Sequence, residues 1–561
     1  MTDENQLVFL PLGGAGEIGM NLNLYGFGRP GHEQWIMIDL GVTFGDSTLP
    51  GVDVIMPDPS FIEERRDSLL GIVLTHAHED HLGAVQYLWP RLRCPVYATP
   101  FTAAVLRRKL SEARDCDDIE IIELPLGGNC DLGPFSLELI SLTHSIPEPN
   151  AIAIRTPVGM ILHTGDWKFD DNPVIGAAPD FDRLSALGDD GILALVGDST
   201  NVFTPGDAGS EGDLEESLTR IVRECTGRVA VACFASNVAR LQTIHAAATA
   251  AGRDVVLAGR SLRRMIDSAT ETGYLSPDLR FLTEDDAGYL PRERALIICT
   301  GSQGEPRAAL SRIAANDHPR VSLEEGDTVI FSSRVIPGNE VSIGALQNDL
   351  VRRGIRLITW RDDFVHVSGH PARDELARMY QLARPRIAVP VHGEYRHLAE
   401  HARLAADCQV AETVICENGA LVRLAPGKPG VVSEVTRGRI VLEGNRLIPI
   451  DGDLLRSRKR ALFNGIVVAS IAIDEDGDLV ADPVLTTSGL IEANEPHLIE
   501  DGLDVIEDVL GRLPRRDRQD DATVQEAVRV AVRRYFRDTL DKKPVTDIHV
   551  LRIPFEDEPD D

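Results

Sequence analysis

The run THAHEDHLGA, Thr75 to Ala84, places His76, His78, Glu79, Asp80 and His81 within six consecutive positions of a chain that has 15 histidines in 561 residues. GIVLT before it is short, apolar and β-branched, the texture of a buried strand, and LGAVQYLWPRL after it reads as a helix. The polar cluster therefore occupies a loop at a strand's end. Such a loop can turn several side chains into one cleft, which a strand's alternation cannot do. Imidazoles and a carboxylate converging there suit Zn²⁺ or Mn²⁺ better than Ca²⁺ or Mg²⁺, which take all-oxygen shells. One such ion is satisfied by about four ligands. Five polar side chains in so short a run point to two ions.

Further donors are then expected at other strand ends, and the sequence supplies them: His144 in SLTHSIPEPN, Asp166 in HTGDWKFD and His392 in AVPVHGEYRH. Taken singly, each has a plainer reading as a loop, turn or cap residue. A competing motif lies upstream, where Gly14-Ala15-Gly16-Glu17-Ile18-Gly19 matches G-x-G-x-x-G and Asp39 follows Gly19 by twenty residues. Dinucleotide binding also needs a helix opening at the third glycine. MNLNLYGFGRPGHEQWIMIDLG reads instead as two strands joined by a Gly/Pro turn, so the glycines are assigned to a tight loop and Asp39 to support of the metal ligands.

The length implies several domains. Short strands ending in polar clusters occupy residues 1–208, expected as the first part of a site-bearing domain. From residue 209 helices and strands alternate regularly, as in EESLTRIVREC, RVAVACFAS and NVARLQTIHAAATAAG, which suggests parallel βαβ units inserted over 209–365. The first style returns over 366–430. A linker is expected over 431–455 and a C-terminal domain over 456–561, with a hairpin in FNGIVVASIAIDEDGDLVADPVLTT and a helix in TVQEAVRVAVRRYFRDTL. In that helix Val524, Ala527, Val528, Ala531 and Tyr535 form the expected core stripe, with Arg529, Arg533 and Arg537 on an expected solvated face, for which an RNA-contacting arginine face is the alternative. The closing EDEPDD reads as an acidic, disordered tail. Eight scattered cysteines without a C-x-x-C pair are expected to be buried thiols. The formal charge of −31 argues against wholesale adhesion to nucleic acid or anionic membrane, though not against a local basic groove. With neither a signal-like start nor a long apolar run, a soluble cytoplasmic protein with no membrane association is expected.

The H-x-H-x-D-H run resembles the signature of the metallo-β-lactamase fold, with Asp39, His144 and Asp166 in the expected order around it. The alternating insertion followed by HVSGH and PVHGEYRH resembles the β-CASP nucleases. GGAGEIGMN, PGVDVIMPD, HTGDWKFD, GDSTN, TGSQGEP, SSRVIPGNE, HVSGHP and PVHGEYRH together are similar to the ribonuclease J family over roughly the first 430 residues. The departures, Ala15, Ala77 and Pro371, touch no expected ligand. The resemblance implies an α/β fold: an αββα metallo-β-lactamase sandwich, an inserted β-CASP α/β domain and a small α+β C-terminal domain. It implies that His76, His78 and His144 hold one divalent ion, that Asp80, His81 and His392 hold another, and that Asp166 bridges them.

For catalysis, Asp80 is the candidate to accept the attacking water's proton and His370 the candidate acid, held by Asp198, with phosphate binding as the other role open to His370. Ser236 and Asn237, where a strand gives way to a helix, and His366, Val367, Ser368, Gly369 and His370 are candidates for a phosphate pocket; a plain helix cap is the alternative for the first two. By the resemblance this pocket receives the 5′-monophosphate of single-stranded RNA, giving 5′-to-3′ release of mononucleotides, with internal cuts when it is bypassed. Roles in messenger turnover and ribosomal RNA maturation, a homodimer or homotetramer, and an RNA helicase or other decay proteins as partners are likewise implied. The rival readings are a β-CASP DNA nuclease, a small-molecule hydrolase, and a non-catalytic RNA-binding scaffold. Retention of all seven ligands speaks against the last.

Overall fold

The computed structural model describes residues 4–45, 48–113, 115–336 and 338–554, so the EDEPDD end lies outside the described residues. Residues 4–43 and 55–438 form one compact unit, and Phe44–Val54 joins the chain from Arg439 onward in a second.

Two sheets build the centre of the first unit. One runs Gly430–Glu434, Ala420–Ala425, Gln6–Gly13, Leu22–Gly28, Gln34–Ile38, Leu69–Val73, Val96–Ala98, Ile121–Glu123. The other runs Asn129–Leu132, Phe135–Ser141, Asn150–Thr156, Gly159–His163, Ile192–Asp198, Ile387–Val391, Glu412–Thr413. Their facing sides form one apolar core, Leu7, Phe9, Tyr25 and Ile36 from the first with Leu137, Leu139, Ile152, Val196 and Val389 from the second. In FSLELIS the alternation of the strand sends Phe135, Leu137 and Leu139 inward. The second sheet's outer face is covered by helices Phe181–Asp190, Arg373–Ala383 and Tyr395–Asp407 through Leu184, Leu187, Leu376, Met379 and Leu404. Helices Val85–Leu92 and Pro100–Leu110 bury Leu88, Trp89, Phe101 and Leu106. This is the expected αββα sandwich. After Gly19 the chain forms the strand Leu22–Gly28 rather than a helix, which removes the dinucleotide reading.

Strand Ile192–Asp198 pairs in parallel with Ile387–Val391, Asp198 opposite Val391. Between them lies a separate parallel sheet in the order Asp254–Ala258, Ala295–Cys299, Val229–Ala232, Thr328–Phe331, Arg356–Ile358. Its period of two divides each strand between two cores. Val229 and Val231 face Leu218, Leu241 and Ile244, whereas Ala230 and Ala232 face Leu310, Leu346 and Leu350.

In the second unit, Ile466–Ile473 lies antiparallel to Val484–Ser488, the expected hairpin, and parallel to Val545–Arg552. Helices His497–Arg512 and Asp521–Leu540 close one face of this sheet around Val467, Ile471, Ile506, Val528 and Phe536. The stripe of the second helix differs from the expectation: Val524, Val528, Val532 and Phe536 are buried, while Ala527, Ala531 and Tyr535 flank them half-buried. Four-residue steps track the helix's own ridge closely enough to make a complete stripe. The eight cysteines are unpaired and six are buried. Among the described residues no helix is long and apolar enough to cross a membrane.

Candidate metal centre

His76, His78, Asp80, His81, His144, Asp166 and His392 all stand at or just beyond strand ends, and the fold brings them together. Donor atoms of His76, His78, His144 and Asp166 lie within 4.8 Å of one another; so do those of Asp80, His81, Asp166 and His392, and those of Asp166, Asp198, His370 and His392. Asp166 is common to all three groups. The loop after Leu69–Val73 folds as it does because Thr75 is held at both ends of its polar surface: Asp39 accepts its N–H and its hydroxyl, each at 2.8 Å. Asp39 is fully buried at φ +64°, a left-handed conformation that an Asp tolerates. The chain then forms the short helix Glu79–Leu82, which turns Asp80 and His81 inward and leaves Glu79 outside on Lys109 at 2.7 Å. Close approach is essential here: a Cβ on Gly41 would sit 1.7 Å from the Asp80 carbonyl oxygen.

Hydrogen bonds to the far ring nitrogens set the tautomers. His81 donates Nδ1–H to Asp39 Oδ2 at 2.7 Å. The Thr75 hydroxyl proton is committed to Asp39, so its oxygen accepts from His76 Nδ1 at 3.0 Å. His144 donates Nδ1–H to the Gly369 carbonyl. The Thr200 hydroxyl lies 3.3 Å from the His392 carbonyl and accepts from His392 Nδ1 at 2.8 Å. Four imidazoles are thereby left with Nε2 as the coordinating atom, the arrangement that metal-binding histidines use. His76 Nε2 and His144 Nε2 stand 3.0 and 3.1 Å from His78 Nδ1. Imidazoles sharing one tetrahedral ion at about 2.0–2.1 Å would place their nitrogens roughly 3.3 Å apart. The donor set fits divalent ions.

The electrostatics of the two halves differ. Burial pushes the His76, His78 and His144 imidazoles down, His78 to about 4, so this trio is neutral and ready to coordinate. Burial acts the same way on His81 and His392, but the carboxylates facing them, Asp166 foremost, prevail and raise both well above the ordinary value. Asp166 in turn is held well below the usual carboxylate range: its burial acts upward, and His392, His81 and His370 overcome it. Protons on these Nε2 atoms serve the carboxylates that a divalent cation would serve in their place.

His370 Nδ1 lies 2.8 Å from Asp198 Oδ2, and its ring stacks on His392 at 5.5 Å and edges His144 at 4.9 Å. The GDSTN segment holds this loop by two side chains, Asp198 on His370 and Asn201 donating to Ser368 Oγ at 2.7 Å and the His370 carbonyl at 3.0 Å, while Thr200 between them holds His392. A Cβ on Gly369 would meet His144 Nδ1 and Ser145 Oγ at 2.7 Å, so glycine is required for the backbone to reach His144. Val367 is buried in the insertion's core and offers the cleft only its backbone. Asn237 caps helix Val238–Ala250 by accepting the Arg240 N–H at 2.9 Å, which leaves its amide as a donor, and Ser236 is half-buried beside it. Arg240, 1% exposed, links the cap to His366, its Nη1 lying 3.5 Å from His366 Nδ1 and 2.9 Å from the Ser332 carbonyl. Burial first, then the charges of Arg240, Arg334 and Lys168, push His366 well below its usual range. Arg240 is itself paired with Glu211, and Lys168 with Asp170 at 3.2 Å.

Several supporting residues escaped the sequence reading. Thr75, Thr200 and Asn201 sit inside quoted motifs, so adjacency to the ligands was their signal. Asn21 donates to the Asp80 carbonyl at 3.0 Å, which sets its amide 3.1 Å from His81 Nε2. Glu375 had no local signal. It is 2% exposed and accepts the N–H groups of Phe169, Ala208 and Ala372 at 2.7, 2.7 and 2.8 Å, tying the Asp166 loop, the start of the insertion and the His370 loop to one carboxylate. Two buried donors and the half-buried one of Ala208, left without an acceptor, cost about 1–3 kcal/mol each, so Glu375→Ala is expected to destabilise the chain by about 3–5 kcal/mol. The midpoint of urea unfolding measures this; a loss below about 1 kcal/mol would contradict the clamp.

Four family models match the chain in order: the beta-lactamase superfamily domain over residues 35–200, the ribonuclease J beta-CASP domain over 226–350, the Zn-dependent metallo-hydrolase RNA specificity domain over 355–413, and the ribonuclease J C-terminal domain over 453–553. The sequence is 45% identical over 555 residues to a ribonuclease J of Sinorhizobium meliloti, covering 99% of this chain and 98% of that one. It is 38% identical over 549 residues to a ribonuclease J of Mycolicibacterium smegmatis, covering 97% and 96%, and 35% identical over 549 residues to ribonuclease J 1 of Streptococcus pyogenes, covering 96% and 97%. A crystal structure of a protein of unknown function from Enterococcus faecalis shares the fold at a TM-score of 0.52 and 19% identity, covering 74% of this chain and 100% of that chain.

Proposed function

The chain belongs to the ribonuclease J family, and from that premise we propose how its residues divide the work of cutting RNA. It is a β-CASP ribonuclease that binds RNA and uses divalent metal. The observation that carries the finer reading is the set of four imidazoles tethered through Nδ1 around Asp166. In this reading there are two ions, zinc or manganese: His76, His78 and His144 hold one, Asp80, His81 and His392 the other, and Asp166 bridges. When bound, such ions lower the pKa of water toward neutrality and stabilise the charge that builds on phosphate oxygens. Asp80, the most open of the ligand carboxylates at 31% side-chain exposure, is the acceptor for the attacking water's proton. His370, oriented by Asp198, donates a proton to the departing 3′-oxygen. The products are a 5′-phosphate on the downstream piece and a 3′-hydroxyl on the other.

Ser236, the Asn237 amide, His366 and the Ser368–Gly369 backbone form the proposed receptor for a 5′-monophosphate, supported by the capped start of helix Val238–Ala250 and by Arg240, which joins that cap to His366. A phosphate seated there favours stepwise 5′-to-3′ release of mononucleotides, and a strand that bypasses it is cut internally. The proposed setting is cytoplasmic messenger turnover and ribosomal RNA maturation, by a homodimer or homotetramer that works with a helicase or other decay proteins. The proposed domain division is 1–208 with 366–430, the insertion 209–365, a linker 431–455 and a C-terminal domain 456–561.

The test is one end-labelled RNA carrying a 5′-monophosphate, triphosphate or hydroxyl, digested with and without chelator beside the matching DNA. Mononucleotides are expected from the monophosphate RNA alone and not with chelator. Indifference to the 5′ group would sink the pocket, and faster cleavage of DNA would sink the substrate assignment.

A further inference from the structure

The C-terminal unit carries a feature that the metal centre does not use. Helix Asp521–Leu540 turns its apolar ridge to the sheet and leaves Arg529, Arg533, Arg534 and Arg537 on the other side. With Val530 and Lys543 they line a groove of about 290 Å³ whose charged lining is entirely cationic. Glu526 and Asp538 neutralise Arg529 and Arg537 at the rim, at 2.6 Å each. Among the described residues the side chains of Arg533, Arg534 and Lys543 make no ion pair. Arg529, Arg533 and Arg537 recur every fourth residue, about 6 Å apart along the axis, a rise comparable to the step between phosphates on one nucleic-acid strand. Lys542, next in sequence to Lys543 of the lining, donates from Nζ to the carbonyl of Phe463 at 3.1 Å, and Phe463 is 69% exposed.

In a chain of net charge −31, the three clustered cations without an ion pair, Arg533, Arg534 and Lys543, repel one another and are placed at a cost that burial does not explain, because the helix's packing is already complete on its other face. Guanidinium groups in a row along an open groove match the successive phosphates of a single strand. We propose that this groove is a second RNA-binding site, an exosite on the C-terminal domain that holds the phosphate backbone of long substrates by charge and not by sequence. The inference rests on the ribonuclease reading above.

The full-length protein is compared with Arg533→Glu/Arg534→Glu and with Arg533→Lys/Arg534→Lys, on a 5′-monophosphorylated RNA of about forty nucleotides and on a tetranucleotide. Expected for the Glu pair is a rise of about tenfold in the ratio of long-RNA KM to tetranucleotide KM. The salt dependence of long-RNA binding should fall by about 1.4 in log–log slope, two phosphate contacts at about 0.7 each. The Lys pair should restore most of both, since it keeps the charge. An unchanged ratio and slope in the Glu pair would overturn the proposal, as would a change in sedimentation that assigns the groove to contacts between copies of the chain. Loss of binding to an acidic protein with no change toward RNA would overturn it too. A wild type that leaves both RNAs intact would instead bring down the ribonuclease reading, and this inference with it.

Discussion

Asp166→Ala is expected to lower single-turnover RNA cleavage by about 10⁴-fold or more, some 5 kcal/mol of barrier, with the fold retained. Among the described residues no other is shared by all three groups of converging donors, and Asp166 stands within 4.0 Å of His76, His144, His81 and His392. Without it the trio His76, His78 and His144 is a neutral site and the set Asp80, His81 and His392 keeps a single carboxylate, so two dications would face each other with no shared negative charge between them. Retained folding is expected because the chain around Asp166 is fixed by other bonds: the Lys168 N–H to the Thr143 carbonyl at 2.7 Å, and the Asp170 N–H to the Thr143 hydroxyl at 3.0 Å. Metal content by elemental analysis, far-ultraviolet circular dichroism and the cleavage rate on one preparation decide the matter. Cleavage within tenfold of wild type, with both ions retained, would refute the bridging role.

For His370→Ala the expected loss is about 10²–10⁴-fold on ordinary RNA, the range of a general acid. The sharper expectation concerns the leaving group. When the scissile 3′-oxygen is replaced by sulfur, the departing thiolate needs no proton, and most of the deficit of the variant should vanish. Asp198→Asn should follow the same pattern with a smaller deficit, since it keeps a hydrogen-bonding partner beside Nδ1 but removes the charge that holds it. A deficit equally deep on the sulfur substrate would make His370 a phosphate binder and leave the departing oxygen to be protonated by solvent.

The residues of this centre were legible because coordination chemistry is local in sequence at one point, THAHEDHLGA, and recurs at strand ends, where His144, Asp166 and His392 break an apolar run. The insertion was legible through its change of rhythm from strand-and-cluster to strand-and-helix. What orients the ligands was not. Thr75, Thr200 and Asn21 are ordinary strand-end residues until the fold shows which ring nitrogen each one faces, and Glu375 is one more acid at the start of a helix until N–H groups from two distant loops join that of its own N-cap, Ala372, on its carboxylate. Phe44–Val54 reads as a local turn-rich stretch, and nothing in it reveals membership of the C-terminal unit. The stripe of the last helix was misjudged by one ridge: Ala527 and Ala531 lie near the apolar side, but the larger Val532 and Phe536 take the core.

The position of Ile387–Val391 beside Ile192–Asp198 bears on how the protein is made. During synthesis the edge of Ile192–Asp198 stays unpaired while roughly 190 further residues emerge, about 10–40 s at 5–20 residues per second. An open, apolar strand edge is an aggregation hazard for all of that time. On the proposed ligand set the same delay has a protective side, because His392 is the last donor to arrive. A nascent chain tethered to its own messenger therefore holds an incomplete centre until some two thirds of the message has been read, and the finished nuclease gains its cutting site only once the intervening domain has had time to fold.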